Sequence, residues 1–372
     1  MKKFLLAIII SFAISTVSWA YTTVSGDISG NTTWSSGTYY ISTNVTGGNA
    51  YSLTINSGVV VKMASGVKLS GAPLVVNGTA ANPVYLTSKN DDTVGDPITG
   101  SSHSPAAGDW LSVGDDKYPN STPISMTYAV VRYSTNGINV DQNPNLTHII
   151  TNTIIKNCSV EAFNTGDNGG AGGMETINLS NSQVDTCVIG LSVVANLNAT
   201  NVLFRNNTTY ADYVRYSTHT FKNCTIDSNG TGVYTSTSGY ATVANSVISN
   251  NGVNLYNSDS GTAGLSYVNQ YNNTTTNAAT VNTNPISGNP NYQTGLASTT
   301  YIGNMAYFLN QSTSPDISAG SASSSSLSMN TYTTSITASL DSGTVDVGYH
   351  YNTVDVYYMA TSVNHGFTRF LK

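Results

Sequence analysis

Four charged side chains recur along the middle of this sequence, and their types could support acid–base chemistry. Lys156, Asp185, Arg205 and Asp227 follow one another at spacings of 29, 20 and 22 residues. A basic group beside a carboxylate can move protons to and from a substrate. On neighbouring strands, the same groups could instead form a ladder of surface ion pairs, each of small energetic value. The chain holds three further ionisable groups nearby, which we place on a loop: Asp212, Arg215 and His219.

A second set of carboxylates lies in residues 89–123, a stretch rich in proline and glycine that we interpret as one or two projecting loops. Calcium binds several oxygen ligands, so these side chains could hold Ca²⁺. Their spacing matches neither an EF-hand loop nor a glycine-rich nonapeptide repeat. A solvated acidic loop without metal is therefore the alternative interpretation. The carboxylates in question are Asp91, Asp92, Asp96, Asp109, Asp115 and Asp116.

Tyrosine is unusually frequent, with 24 residues in the chain. Exposed rings in a row can stack on the faces of sugars, because a tyrosine ring is apolar while its hydroxyl hydrogen-bonds. Tyrosine also fills strands for packing reasons alone, and both interpretations stay open. The candidate ligand-binding residues are Tyr210, Tyr213, Tyr216 and Tyr234, and the same region also contains Tyr240 and Tyr256.

A repeat in the sequence predicts the strands that position these groups. Five blocks begin with asparagine and are separated by 20 to 29 residues; they start at Asn152, Asn181, Asn201, Asn223 and Asn245. A period of this size predicts a solenoid, in which each repeat buries its apolar face by stacking on its neighbours. Side chains alternate across a strand, so one column must face inward and the next outward. The predicted inward column is Ile155, Val184, Phe204, Ile226 and Ile248, and the charged residues fall in the outward one.

The residues that follow each charged position predict a turn lined by polar side chains. This column is Asn157, Thr186, Asn206, Ser228 and Asn250. Stacked asparagine side chains at such a turn can hydrogen-bond along the solenoid axis.

Three cysteines also follow the repeat. Cys158 and Cys187 share one column, whereas Cys224 falls in another. A disulfide between Cys158 and Cys187 is possible if their coils are neighbours. Buried free thiols that pack as small hydrophobic groups are the interpretation we adopt.

The ends of the chain and its composition bound the function. Residues 1–20 predict a signal peptide, with Lys2 and Lys3 before an apolar run and a small-x-small site ending at Ala20. We therefore expect export, from a bacterium, to the cell surface or beyond, and no transmembrane segment in the mature chain. Charged residues make up 9% of the chain and acidic residues outnumber basic ones by 19 to 13. Nucleic acid is excluded as a partner, because phosphate binding needs clustered Lys and Arg.

Several stretches resemble the right-handed parallel β-helix, or pectate-lyase-like, superfamily, and in particular bacterial secreted and surface β-helix proteins. The repeats over residues 125–257 are similar to its generic coil. Other stretches that carry the resemblance are Leu53–Lys62, Leu74–Thr79, Gly108–Trp110, Ser314–Gly320 and Asp341–Tyr351. The resemblance implies an all-β, single-stranded right-handed parallel β-helix. It also implies that a lyase would use an Arg or Lys base with calcium, and a hydrolase converging Asp residues.

We therefore expect a signal peptide (1–20), N-terminal coils with an acidic loop (21–123), repeats with a closing segment (124–351) and a tail (352–372). The expected function is non-enzymatic: adhesion, glycan contact or matrix and fibre structure. The alternative is a lyase or glycoside hydrolase acting on an acidic polysaccharide. The expected partner is an extracellular polysaccharide or a surface protein. End-to-end self-association is also possible, because the ends of a solenoid expose unpaired strand edges.

Overall fold

The computed structural model describes residues 20–47, 51–70, 72–115, 122–141, 143, 145–166, 174–275, 281–295 and 303–353. The predicted signal peptide up to residue 19, Asp116, residues 167–173 of the glycine-rich insertion and the tail from residue 354 lie outside these residues. Within the described ranges, no helix combines the length and the hydropathy that a membrane span requires.

Short strands separated by turns make up the described chain. The strands of the first half are β1 Tyr21–Val24, β2 Thr32–Trp34, β3 Thr38–Ile41, β4 Val45–Thr46, β5 Leu53–Asn56, β6 Val60–Met63, β7 Leu69–Ser70, β8 Leu74–Asn77, β9 Val84–Ser88, β10 Val113–Asp115, β11 Ile124–Thr127, β12 Ala129–Arg132, β13 Asn136–Val140, β14 Thr147–Thr151, β15 Ile154–Lys156 and β16 Glu161–Thr165. Those of the second half are β17 Thr176–Asp185, β18 Ile189–Val193, β19 Asn196–Arg205, β20 Tyr210–Arg215, β21 Thr218–Lys222, β22 Thr225–Asp227, β23 Thr231–Ser236, β24 Tyr240–Ser249, β25 Val253–Asn257, β26 Thr262–Tyr271, β27 Asn282–Thr283, β28 Tyr292–Gln293, β29 Phe308–Leu309, β30 Tyr332–Thr333 and β31 Tyr351–Asn352.

Strands β1 to β27 stack in parallel into a solenoid of about ten turns with three faces. Strands β28 and β29, and likewise β30 and β31, form two short antiparallel pairs outside the stack. Face A contains β2, β5, β8, β11, β14, β21, β27 and the first halves of the ten-residue strands β17, β19, β24 and β26. Face B contains β1, β3, β6, β9, β12, β15, β22 and the second halves of those long strands. Face C is the nine-stranded sheet from β4 to β25. The predicted all-β parallel β-helix is confirmed.

The leading asparagine of each repeat is the corner between face A and face B. Asn152, Asn181, Asn201, Asn223 and Asn245 all have φ between 49° and 56°. Asparagine tolerates this left-handed conformation better than most residues, which explains why it recurs there. A second left-handed corner follows face B, at the column that includes Asn157 and Asn250, each with φ of 56°. Two sharp corners per coil thus fix the cross-section of the solenoid.

The interior of the solenoid is the continuous hydrophobic core. The predicted inward column is confirmed, since Ile155, Val184, Phe204, Ile226 and Ile248 are all fully buried. Asparagines one position beyond the second corner form a buried ladder inside the turn. The Asn229 side chain, for example, donates to Asn251 Oδ1 at 3.0 Å and accepts from the Asn207 side chain at 3.0 Å. This ladder satisfies turn amides that no strand can reach.

Cys158 and Cys187 occupy the same column as this ladder, one coil apart. They are buried free thiols, and the backbone amide of Cys158 donates to Cys187 Sγ at 3.4 Å. Cys224 is likewise a buried free thiol.

Candidate functional site

The four predicted acid–base candidates lie in one outward column of face B. Strand register places Arg132 beside Lys156, then Asp185, Arg205 and Asp227 in successive coils. Arg205 Nε donates to Asp185 Oδ1 at 3.0 Å, which is one rung of the ion-pair ladder described above. Burial lowers the pKa of Lys156, and Arg132 lowers it further against the opposing effect of Asp185.

Asp227 is buried and fully engaged in hydrogen bonds. Its carboxylate accepts from the Tyr307 hydroxyl at 2.7 Å and from the side chains of Ser228, Ser249 and Asn250 at 2.6 to 2.7 Å. Only 4% of the residue is exposed. Burial and the charge of Asp227 both raise the pKa of Tyr307, which keeps its hydroxyl a donor. Asp227 therefore holds structure together at this position.

The cover over Asp227 is the C-terminal segment, which we define as residues 303–352. Gln183 and Asn304 exchange hydrogen bonds at 2.6 and 3.4 Å, and Asn201 and His350 exchange two more at 2.7 and 2.9 Å. A small hydrophobic cluster seals the contact between the segment and Leu203 on face B: Tyr307, Phe308, Tyr349 and Tyr351. The resemblance at Ser314–Gly320 and Asp341–Tyr351 predicts a closing segment, but its position over face B is not predicted, because the segment carries no repeat.

The acidic loop between β9 and β10 covers the other end of face B. Asp91 is fully buried and forms a salt bridge with Arg132 at 2.5 Å, and it also accepts hydrogen bonds from Thr87 and Thr93. Burial raises the pKa of Asp91, but these hydrogen bonds and the Arg132 charge outweigh it and leave the pKa below its ordinary value. Asp92 contacts His103 and lies 3.8 Å from the Lys62 ammonium.

The remaining calcium candidates do not converge. Asp109 accepts hydrogen bonds from the side chains of Ser88 at 2.6 Å and Asn90 at 3.2 Å. Asp96 is held by a hydrogen bond from its backbone amide to Thr38 Oγ1. Asp115 ends strand β10. Among the described residues, no three His, Cys, Asp or Glu side chains are grouped so that they could hold a metal ion. Calcium binding stays a prediction, now without a defined site.

Asp212, Arg215 and His219 all lie on strands, so the prediction that they lie on a loop is wrong. Asp212 is on β20 and His219 on β21, both are fully buried, and His219 Nδ1 lies 2.7 Å from Asp212 Oδ2. His148 and Glu175 form a second interior pair at 3.1 Å. Each pair leaves one buried carboxylate oxygen, Asp212 Oδ1 or Glu175 Oε1, without a hydrogen-bond partner among the described residues, and neither pair is accessible to a polymer outside the solenoid.

The tyrosine candidates form a row on the outer surface of face C. Tyr213, Tyr234 and Tyr256 are in strand register, with ring centroids 5.0 and 5.2 Å apart. Tyr210 joins the row at 5.0 Å from Tyr234. Tyr216 occupies the left-handed corner after β20, with φ of 55°, and makes no ring contact with another described aromatic residue in the row. The row therefore contains three of the four predicted tyrosines, together with Tyr256.

Polar side chains extend the same column toward the N-terminus. The register continues from Tyr213 to Ser192, Asn164 and Asn139. We name this column of six residues, Asn139 to Tyr256, the face C track. Its polar half could not be found from the sequence, because the spacing between these residues varies with the insertions.

Comparison with known proteins adds no argument to the fold described above. No family model matches the chain, and no curated protein matches it. The A-module of the mannuronan C-5 epimerase AlgE6 from Azotobacter vinelandii is a structural neighbour at 12% identity, with 70% of this chain and 92% of that chain covered. The TM-score is 0.32, which carries no argument about activity. The class defined by the strands themselves is a parallel β-helix protein.

Proposed function

We propose that this chain is an exported β-helix module that holds a polysaccharide along the face C track without cleaving it. The observation that carries the proposal is the row of tyrosine rings in register on an outer face. Neighbouring parallel strands are about 4.8 Å apart, so the six positions of the track span roughly 24 Å. That length accommodates several sugar units of an extended chain.

The chemistry of the track suits a carbohydrate. Tyrosine offers an apolar ring for the C–H face of a sugar and a hydroxyl for its edge. The hydroxyls are already oriented, since Tyr234 hydrogen-bonds Ser258 at 2.9 Å and Ser236 donates to Tyr213 at 3.1 Å. Fixed rings lose little entropy on binding, which favours affinity. The half-buried side-chain amides of Asn139 and Asn164 continue the hydrogen-bonding surface, whereas Ser192 between Asn164 and Tyr213 is buried.

Two charged groups flank the track. Arg215 lies over the Tyr213 ring, with 5.2 Å between its guanidinium carbon and the ring centroid. Glu161 has a pKa raised by burial and held back by hydrogen bonds from Asn164 and Ser192. With one group of each sign, the track has no strong preference for a polyanion. A neutral or weakly charged glycan is therefore the partner that fits best.

We propose that the protein does not cleave the glycan, because the charged residues predicted as acid–base candidates are engaged in contacts with other protein groups. Asp185 and Arg205 bind each other, and Asp227 is held by four donors beneath the C-terminal segment. A general acid or base must reach the substrate within hydrogen-bond distance. Acid–base action by Asp227 would require the C-terminal segment to leave face B.

Binding to a panel of soluble neutral and acidic glycans tests the proposal. We expect Tyr234→Ala to weaken binding about tenfold, as loss of one aromatic contact does. The matched control is Tyr240→Ala, which removes a tyrosine that is 42% exposed on face A. If both variants lose the same affinity for the glycan, or if Tyr234→Ala loses none, the face C track is not the binding site. Shortening of the glycan by the wild-type protein would reject the non-enzymatic assignment.

A further inference from the structure

The outer surface of face A carries a regular polar array that the proposed function does not use. We define this array as the outward positions of β14, β17, β19, β21, β24 and β26 on face A. Three positions on each of six strands give 18 residues, all exposed or half-buried, and 13 of them are Thr, Ser or Asn. The other five are Ile149, Lys222, Tyr240, Ala244 and Gly264. Lys222 carries the array's single charge.

The array is periodic in two directions. Register is continuous from strand to strand, as in the central column Asn178, Asn198, Thr220 and Thr242. Rows are thus repeated at about 4.8 Å along the solenoid axis and at about 6.6 Å along each strand, which is two residues of extended chain. Hydroxyl and amide groups therefore form a two-dimensional lattice of hydrogen-bonding sites.

The side chains of the array are also held in place. Asn198 donates to Asn178 at 2.9 Å, and Thr242 donates to Thr220 at 3.2 Å. Threonine is β-branched and stiff at χ1, which restricts it further. A surface fixed before binding loses little conformational entropy when it meets a rigid partner.

Size and charge narrow the choice of partner. The array covers roughly 24 Å by 13 Å, about 300 Å², whereas a stable protein interface buries about 800 Å² per partner. It also lacks the cluster of aromatic and arginine anchors that dominates protein interfaces. With a single charge, it offers nothing to a polyelectrolyte. The complementary partner is uncharged, rigid and itself periodic, with groups that both donate and accept hydrogen bonds.

We propose that the face A array binds ice. The ice surface is an uncharged lattice of water molecules, each able to donate and accept, and hydroxyl and amide side chains can do both as well. Many weak, registered contacts then hold the protein on the crystal although each contact is small. The proposed glycan site is on another face, so the two proposals stand or fall separately.

The test is inhibition of ice recrystallisation and the gap between freezing and melting temperatures, measured with the full-length purified protein. We expect activity in the wild-type protein and a loss of at least about tenfold in Thr220→Tyr, which puts a bulky ring in the middle of the array. The control is Thr23→Tyr, at an exposed strand position on face B. Circular dichroism of each variant checks that the solenoid is intact.

Three results overturn the proposal. One is a wild-type protein no more active than serum albumin at equal concentration. Another is an active protein whose activity is unchanged by Thr220→Tyr or is reduced equally by Thr23→Tyr. The third is binding to crystalline cellulose or chitin through the array without activity on ice, which would assign the lattice to a polysaccharide crystal.

Discussion

Asp316 is a buried carboxyl group whose replacement should change how stability depends on pH. It lies in the C-terminal segment, is fully buried, and accepts hydrogen bonds from Asn269 Nδ2 at 2.9 and 3.1 Å. Burial raises the pKa of Asp316 to about 7, and the nearby Asp346 carboxylate adds to the rise while Asn269 opposes it. Asp316→Asn keeps the shape and removes the titration. The new amide could donate to Asn269 Oδ1, which lacks a partner.

The direction and size of the effect on the free energy of unfolding follow from the difference in the Asp316 pKa between the folded and unfolded chain. An aspartate in the unfolded chain has a pKa of about 3.9, so the folded protein binds the proton more tightly. Stability from this group is fully present below pH 4 and is lost as pH rises through about 7. A difference of about three pH units corresponds to roughly 4 kcal/mol in the free energy of unfolding. Asp316→Asn should therefore match the wild type near pH 4 and exceed it by up to that amount at pH 8.

Urea unfolding at pH 4 and pH 8, followed by far-ultraviolet circular dichroism, measures this difference. Solenoids can unfold in parts, so proteolysis of the C-terminal segment under native conditions provides a second, local readout. The control is Asp259→Asn, which removes an exposed carboxylate in a turn outside the Asp316 contacts and should leave stability unchanged. A stability difference between Asp316→Asn and the wild type that is the same at both pH values would refute the reasoning.

Three further predictions concern the ladder, the cover and the thiols. Asn229→Ala should lower the free energy of unfolding by about 3 kcal/mol or more, because it leaves buried amide and carbonyl groups unpaired, and the exposed Asn272→Ala should cost far less in the same urea titration. Tyr307→Phe should cost about 2 kcal/mol through loss of the bond to Asp227, whereas Tyr51→Phe should be neutral; equal midpoints for both variants would contradict the cover. The three cysteines should resist alkylation until the protein is denatured, since burial raises the pKa of Cys224 to about 12 and also raises that of Cys187, and mass spectrometry showing modification of the native protein within minutes would contradict this.

The repeat period was sufficient to predict the stack and its inward column. Residues such as Val184 and Phe204 recur with alternating polar neighbours, and a parallel coil is the arrangement that buries all of them. The same alternation predicts that Asp185 and Arg205 can pair across neighbouring strands, and the structure confirms this contact. Each strand of the repeat pairs with a strand about 20 residues away in the chain. A repeat of that length can be recognised in the sequence, so the pairing of neighbouring coils can be predicted.

The cover over face B could not be predicted in this way. Its contacts join residues far apart in the chain, such as Asn201 and His350, and although Asn201 belongs to the repeat, His350 lies in a segment without one. The error at Asp212 has a different cause. Ala211 and Asp212 are both buried, so β20 breaks the strict alternation of inward and outward residues, and the interruption resembles a loop when read from the sequence.

The asparagine ladder also bears on how long the protein survives once made. Asn229 and Asn251 are each followed by glycine, a pairing that in flexible chains loses ammonia as the glycine nitrogen attacks the side-chain amide. Here the nitrogen of Gly230 is bound to the Asn207 carbonyl at 2.9 Å, and that of Gly252 to the Asn229 carbonyl at 3.0 Å. Chemical ageing at these sites must wait for a coil to open. The stacking that shapes the solenoid thus also slows the loss of ammonia at Asn229 and Asn251.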